Sequence, residues 1–233
     1  MSATTDRATV LLMEAAHAET EEETGVFDLR LGAGEFALVL APDPARAALF
    51  ADLAGGTVAA ASGRVLFLGQ DWARVPHDVA DALRGRIGRV FHEGGWVPHL
   101  SMATNVLLPL LHHTRAPEGE ARDRAADLAR AFGLPGLPLG WPHASPSGDR
   151  ARAACVRAFL GEPSLLILES PLMEGRVPDL MARLRDAIAA ARSRGAACLW
   201  LTASALVWDD PGLPATERLR LTDFGLRAER PAR

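Results

Sequence analysis

Residues able to do chemistry gather at two places. Glu169 and Ser170 follow the continuous apolar run 165–168 and precede Pro171. Such a run reads as a strand buried on both faces, in a sheet covered by helices on both sides. Ligand chemistry in open α/β sheets lies at the carboxyl edge, where Glu169 and Ser170 would emerge. Glu169 brings a carboxylate to that edge and Ser170 a hydroxyl. The second place is Asp43-Pro44-Ala45-Arg46-Ala47-Ala48, directly after the apolar run 36–40 and Ala41-Pro42. Asp43 followed by Pro44 is a good N-cap and first-turn pair, which sets a carboxylate on the free amides and positive dipole end of the helix behind it. Amides of that kind bind phosphate in other loops. Asp43 therefore reads as a built-in anion at such a site, with Arg46 pairing to it or to Glu169; the plainer alternative is an ordinary cap and a solvated arginine.

The elements that must position these residues alternate between strand and helix. Runs 9–13, 26–31 and 36–40 read as strands, joined by the acidic loop 19–24 and the turn Gly32-Ala33-Gly34. A strand at 65–68, a polar turn at Gly69-Gln70-Asp71, a helix over 77–84 and a strand over 87–91 follow, the last ending on His92. Residues 117–132 read as an amphipathic helix and the Gly/Pro-rich run 133–146 as a loop. Ser147 and Gly148 open an Ala/Arg-rich helix that Gly161-Glu162-Pro163 breaks. A helix over 178–194, a buried strand over 196–201 and a last strand around 218–221 complete an α/β pattern, before a charged tail.

Composition narrows the function classes. A chain of 233 residues with 48% hydrophobic residues can bury a substantial interior as one medium domain, or a core with a small lobe. The net charge of −4 gives no electrostatic support for nucleic-acid binding. Its apolar runs fall short of the roughly 18 residues of a membrane span, and the first residues lack a signal peptide's basic start and apolar core. The expected location is the cytoplasm, or the inner face of a membrane as a peripheral protein. Cys155 and Cys198 read as buried thiols rather than a disulfide framework. All 25 of the Lys and Arg residues are arginine. A phosphate-binding P-loop uses its lysine as a compact cation on the β- and γ-phosphates, so an orthodox P-loop is excluded. Codon bias accounts for an arginine excess but not for the loss of that one lysine.

Residues 145–171 resemble the signature helix and Walker B strand of ATP-binding-cassette (ABC) transporter ATPases. That family reads roughly LSGGQ-x-x-R, then A-R-A-L, then four apolar residues and D-E-P. Arg152, Val156-Arg157-Ala158-Phe159, the run 165–168 and Pro171 keep the spacing. Residues 34–56 are similar, without a gap, to the family's Walker A region, and 94–110 to the stretch that reads G-x-x-F-P-x-x-T-V-x-E-N-V-x-x-P-L. The resemblance extends in order over 34–204. It implies a P-loop NTPase (RecA-like) core with a mainly parallel sheet, a small N-terminal antiparallel β lobe and a helical subdomain. On that pattern 1–233 is a single nucleotide-binding domain, with core and β lobe over about 7–92 and 150–225 and helical subdomain over about 93–149.

Residue by residue, the resemblance also implies that the chemistry is altered. Arg46 stands at the last Walker A glycine, and Ala47-Ala48 stand where the lysine and the magnesium-holding hydroxyl belong. His92 takes the place of the glutamine that touches magnesium. In the signature turn, Ser145 precedes Pro146 in place of serine and Asp149 stands in place of glutamine; only Ser147 and Gly148 match closely. Glu169 replaces the magnesium-associated aspartate, Ser170 the catalytic glutamate, Arg176 the D-loop aspartate, and Ala203 the switch histidine. Gly94, Gly95 and Trp96 form a loop bearing a large apolar group, either a contact for a partner or part of the core. His17 is the nearest candidate for the adenine-stacking residue, against an ordinary turn histidine. The expectation is a degenerate subunit with no catalytic residues and no cofactor, MgATP entering only if the altered site still binds. It would pair with an ABC-type ATPase partner or as a homodimer and dock on a membrane permease. The subfamily most similar serves lipid transport in bacterial envelopes. A slow but genuine ATPase, and a regulator or scaffold that reuses the fold, are the alternatives.

Overall fold

A computed structural model of the protein describes residues 8–18, 25–172, 177 and 179–229. In chain order its elements are β1 (Thr9–His17), β2 (Phe27–Gly32), β3 (Phe36–Leu40), α1 (Pro44–Ala54), β4 (Ser62–Phe67), β5 (Gln70–Asp71), α2 (His77–Arg84), β6 (Ile87–Val90), α3 (Met102–His113), α4 (Glu118–Ala131), α5 (Ser147–Phe159), β7 (Leu165–Glu169), α6 (Leu180–Ser193), β8 (Ala197–Thr202), α7 (Ala205–Trp208), β9 (Glu217–Thr222) and β10 (Gly225–Ala228). One sheet is antiparallel and four-stranded, in the order β2-β1-β4-β5. The other has six strands in the order β10-β9-β3-β8-β7-β6. All its neighbours are parallel except the β9–β10 hairpin.

The strands of the larger sheet are apolar on both faces because both faces are covered. In β3, Phe36 and Leu38 point to one side with Leu166, Leu168, Cys198 and Trp200, where α3, α4, α5 and α6 supply Val106, Ala125, Ala154 and Leu184. Ala37 and Val39 point to the other side with Leu165, Ile167, Leu199 and Leu201, where α1 supplies Phe50 and Leu53 and the antiparallel sheet supplies Leu11, Phe27 and Phe67. Each fully buried Leu, Val or Phe side chain contributes about 1.5–3 kcal/mol of transfer free energy, so the period-2 alternation sets register on both faces at once. Burial pushes the Cys155 thiol up to about 12 and raises that of Cys198 as well; neither is a reactive thiolate.

Several boundaries differ from the sequence reading. β1 continues to His17 through an irregularity at Ala15, whose φ is +45° and whose amide donates to Asp28 Oδ1 at 2.8 Å. His17 is thus a half-buried strand residue opposite Ser62 and not part of a turn. β4 stops at Phe67 because Leu68 and Gly69 both take positive φ. The largest departure is at the end, where a second strand, β10, follows β9 in place of a charged tail. Gly225 opens it at φ +124°, and a Cβ there would lie 2.1 Å from the Val26 carbonyl oxygen. Only glycine fits that crossing, a signal set by a contact with a strand far back in the chain. The acidic loop 19–24 lies outside the described residues.

α5 is held to α6 by an ion-pair clamp. Arg152 of α5 hydrogen-bonds Asp179, which precedes α6, and also the Phe132 carbonyl after α4; Arg183 Nε donates to Asp179 Oδ2 at 2.7 Å. Hydrogen bonds from Arg152 and then Arg183 hold the Asp179 carboxyl well below the usual carboxylate range. With its folded value depressed, Asp179 contributes stability that is fully present above its unfolded value of about 3.9 and is lost as pH falls toward the folded value. We expect Asp179→Asn to flatten the acid limb of the urea-midpoint profile between about pH 5 and pH 2. Superimposable acid limbs for variant and wild type would show that the clamp is not formed.

Candidate functional site

Arg89 of β6 and the residues after that strand, Glu169 at the end of β7, and Pro44, Ala45, Ala48 and Asp52 of α1 line one cleft, with a cavity of about 540 Å³. Asp43, in extended conformation, is the N-cap of α1. Its Oδ1 accepts from the Ala45 amide at 2.9 Å and the Arg46 amide at 3.3 Å, and its carbonyl accepts from Ala47 N at 3.0 Å. Pro44, at the first helical position, has no amide to satisfy. The amides a helix start offers to an anion are therefore already engaged by this side chain. Ala48, half-buried, lines the cleft, whereas Ala47 is buried against the β-lobe side of the core.

The expected Arg46 partnership is only partly as anticipated. Arg46 Nη2 stands 4.0 Å from Asp43 Oδ2, but its close ion pair is with Asp223, in the turn between β9 and β10. Glu169 is not its partner. The β7 carboxylate, 3% exposed, instead accepts from Arg89 Nε at 2.6 Å, and Nη1 of the same guanidinium donates to Asp52 of α1, also at 2.6 Å. Parallel pairing of Val90 with Leu168 and Arg89 with Ile167 puts the arginine one strand over, its head beside Glu169. Its guanidinium also lies 4.4 Å from the Phe91 ring centroid. Burial pushes the Glu169 carboxyl above its ordinary value, although Arg89 pulls it down by hydrogen bond and charge.

Nothing near Arg89 or Asp52 in the sequence announces this triad. The contacts span 80 and 37 residues, and only the register of β6 against β7 brings them together. A single arginine inside the otherwise apolar run Ile87-Gly88-Arg89-Val90 is the trace it leaves.

The remaining candidate residues divide between the cleft and its surroundings. His92, half-buried, and Gly95 line the cleft with Glu93. Ser170 follows Glu169 with φ +45°, its amide donating to the Leu201 carbonyl at 2.8 Å. Ala203 is exposed just past β8. Ser145, Pro146, Ser147, Gly148 and Asp149 build the start of α5 and do not line the cleft. Ser145 Oγ donates to the Trp141 carbonyl at 2.8 Å, Pro146 is the N-cap, and Asp149 sits in the first turn, where its charge suits the dipole. The Gly94–Trp96 loop is tied down by buried Arg157, which donates to the Gly94 carbonyl and, at 3.0 Å, to the Gly95 carbonyl, and lies 4.7 Å from the Trp96 ring centroid. Trp96 itself packs partly on the core. Arg176 lies outside the described residues. Among the described residues no group of three or more His, Cys, Asp or Glu side chains is arranged to hold a metal ion.

The two sheets, the helices on both faces of the larger one and the loop-to-helix turn after β3 make up the fold of an ATP-binding cassette. A solved dimeric cassette in a post-hydrolysis state, bound to ADP and Pi, superposes with a TM-score of 0.81 at 19% identity, covering 96% of this chain and 99% of that one. The ATP-binding subunit of an ABC transporter superposes at 0.79 with 17% identity, covering 96% and 90%. By sequence, the chain's homologues are ABC transporter ATP-binding proteins. It is 29% identical over 140 residues to the spermidine/putrescine import ATP-binding protein PotA of Nitrosospira multiformis, covering 60% of this chain and 37% of that protein. It is 30% identical over 145 residues to the lipoprotein-releasing system ATP-binding protein LolD 1 of Rhodopirellula baltica, covering 62% and 63%. The alignment to PotA of Nitrosomonas eutropha, at 26% identity, reaches 84% of this chain and 52% of that protein. The aligned parts thus span from about a third to under two thirds of these relatives' lengths. No protein-family model matches the chain.

The triad makes a sharp energetic prediction. Arg89→Met leaves Glu169 buried without its cation and should cost about 3–5 kcal/mol in chemical denaturation. Adding Glu169→Leu should recover most of that loss, because a buried pair replaced by apolar groups is close to neutral. In the single variant the Glu169 carboxyl, held above its unfolded value by burial alone, makes stability rise as pH falls from 7 toward about 4. Additive costs for the two substitutions would contradict the coupling.

Proposed function

We propose that this chain is a degenerate nucleotide-binding subunit of an ABC-type membrane transporter, one that neither binds nor hydrolyses MgATP and serves by pairing and docking. The observation that carries the reading is the occupation of the cleft by the protein's own charges. Asp43 sits on the amides at the start of α1, and Arg89 lies between Asp52 and Glu169. A triphosphate needs those amides, a cation at the β- and γ-phosphates and a free carboxylate for magnesium. Here the cation position is filled by Ala47 and Ala48, the amides face a carboxylate, and Glu169 is engaged with arginine. These residues do not fit MgATP.

The retained scaffold supports the rest of the reading. Relatives named as ATP-binding proteins of importers and of a lipoprotein-releasing system support a transporter role. We read the whole chain as one cassette with its helical subdomain over about residues 93–149. Its partners are a lysine-bearing ATPase cassette, or a second copy of itself, and a permease at the cytoplasmic face of the membrane. No helix among the described residues is long and apolar enough to cross a membrane; attachment to the bilayer through the permease is part of this proposal. Lipid cargo rests on the lipid-transporter resemblance and the LolD relatives, while the PotA relatives are named for polyamines.

Affinity purification of the tagged chain from detergent-solubilised membranes of its own host tests this reading. The expected result is stoichiometric co-purification of an integral membrane protein, with either a second cassette that carries a P-loop lysine or a dimer of this chain. Recovery only from the soluble fraction, without any membrane protein, would contradict it and favour a scaffold or regulator that reuses the fold.

A further inference from the structure

The loop between α4 and α5 has a composition unlike the rest of the chain. Residues 133–148 read Gly-Leu-Pro-Gly-Leu-Pro-Leu-Gly-Trp-Pro-His-Ala-Ser-Pro-Ser-Gly, without one Asp, Glu, Lys or Arg in a chain that is 23% charged. Leu139 is 75% exposed and Trp141 49%. No residue of the stretch lines the cleft. A Cβ built on Gly136 would meet no atom within 4 Å, so the tip stands clear of the domain. Two large apolar side chains held out in water, on a stretch without charge, mark a contact surface.

Both ends of the tip are anchored. Leu134 and Pro142 are buried, and Leu137 packs on the core. The Gly140 carbonyl accepts from the first amide of α3, Met102, at 2.7 Å. The Trp141 carbonyl accepts from Ser145 Oγ at 2.8 Å and from the Ala144 amide at 3.1 Å, and the Pro142 carbonyl from the Ser145 amide at 3.3 Å. Pro135, Pro138 and Pro142 carry no amide proton at all. The nearest arginines along the chain are turned away, Arg130 to Asp127 and Arg150 to the Ser145 carbonyl. Much of the loop's backbone polarity is thus satisfied or missing, which is the condition an apolar medium sets on any chain that enters it. A protein partner sets no such condition and is selected by polar and charged groups around the contact, which this stretch lacks. Tryptophan and leucine on an uncharged loop suit the headgroup boundary of a bilayer, where an indole keeps its ring in apolar surroundings and its N–H wet.

We propose that the 137–141 tip inserts into the interfacial layer of a phospholipid bilayer, Leu139 toward the acyl chains and Trp141 at the level of the headgroups, so that the chain touches lipid directly. The contact is neutral and shallow. It reads no headgroup charge, and two side chains give a weak, reversible attachment that adds to any other hold on the membrane. The inference deepens the membrane location proposed above, and rests on that reading only for its place in the cell. Purified chain and lipid suffice to test it, so it can fail while a permease still co-purifies, and the reverse.

The test mixes the full chain with phosphatidylcholine vesicles, plain or brominated along the acyl chains, and reads flotation and tryptophan emission. Half-saturation is expected at about 1–10 mM lipid, unchanged by added anionic lipid or by salt, with emission quenched by the brominated lipid. Leu139→Asp should weaken partitioning roughly tenfold, because it carries a charge into the apolar layer. Trp141→Phe should still float and lose most of the quenching, since Trp72, Trp96, Trp200 and Trp208 are buried or half-buried in the domain. Both replaced side chains are exposed, so neither variant opens the core. Binding that needs anionic lipid, wild-type partitioning of Leu139→Asp, or quenching that survives Trp141→Phe would each overturn the proposal. So would absence of flotation over that lipid range, which is the result a tip serving only as a protein contact gives.

Discussion

Arg89 carries a full positive charge into the sheet, where its side chain is 10% exposed and Glu169 beside it only 3%. Neither charge is tolerable there alone, since stripping water from an ion costs several kcal/mol unless an opposite charge and good hydrogen bonds offset it. The arrangement binds three elements at once: β6 supplies the arginine, β7 the buried carboxylate and α1 the half-exposed Asp52. The loop and helix that follow β3 are thereby tied to the carboxyl edge of β7 by an internal cation. The constraint that shapes this structure is that these elements are bridged by the protein's own side chains.

The helix start follows the same logic. Phosphate-binding loops leave their amides open so that an anion can bind, and Asp43 closes them. Arg46 pairs with Asp223 and links α1 to the β9–β10 turn. Both side chains are thus partnered within the fold. Burial of the larger sheet on both faces sets its register.

Much of the fold was legible because it rests on short-range pattern. The runs at 36–40, 165–168 and 196–201 are apolar on both faces only because helices cover both, and Asp43-Pro44 announces the start of α1 without help from the rest of the chain. What escaped depends on contacts across the chain. β10 exists because Gly225 passes against Val26, and Glu169 meets Arg89 because β6 pairs beside β7 in one register. From the sequence, the family resemblance implies a site that lacks the lysine, hydroxyl, catalytic carboxylate and switch histidine. The ion-pair triad of Arg89, Asp52 and Glu169 could be seen only in three dimensions. The N-terminal lobe shows the same division, since strand alternation was evident while the path of β1 out to His17 depends on the Ala15–Asp28 contact.

Whether this cleft is closed to nucleotide is the claim on which the functional account turns, and calorimetric titration of the purified chain with MgATP tests it most directly. The account predicts no saturable heat and no thermal stabilisation at millimolar nucleotide. Saturable binding at micromolar concentration would contradict it, and would mean that Asp43 and Arg89 yield their partners to a phosphate chain.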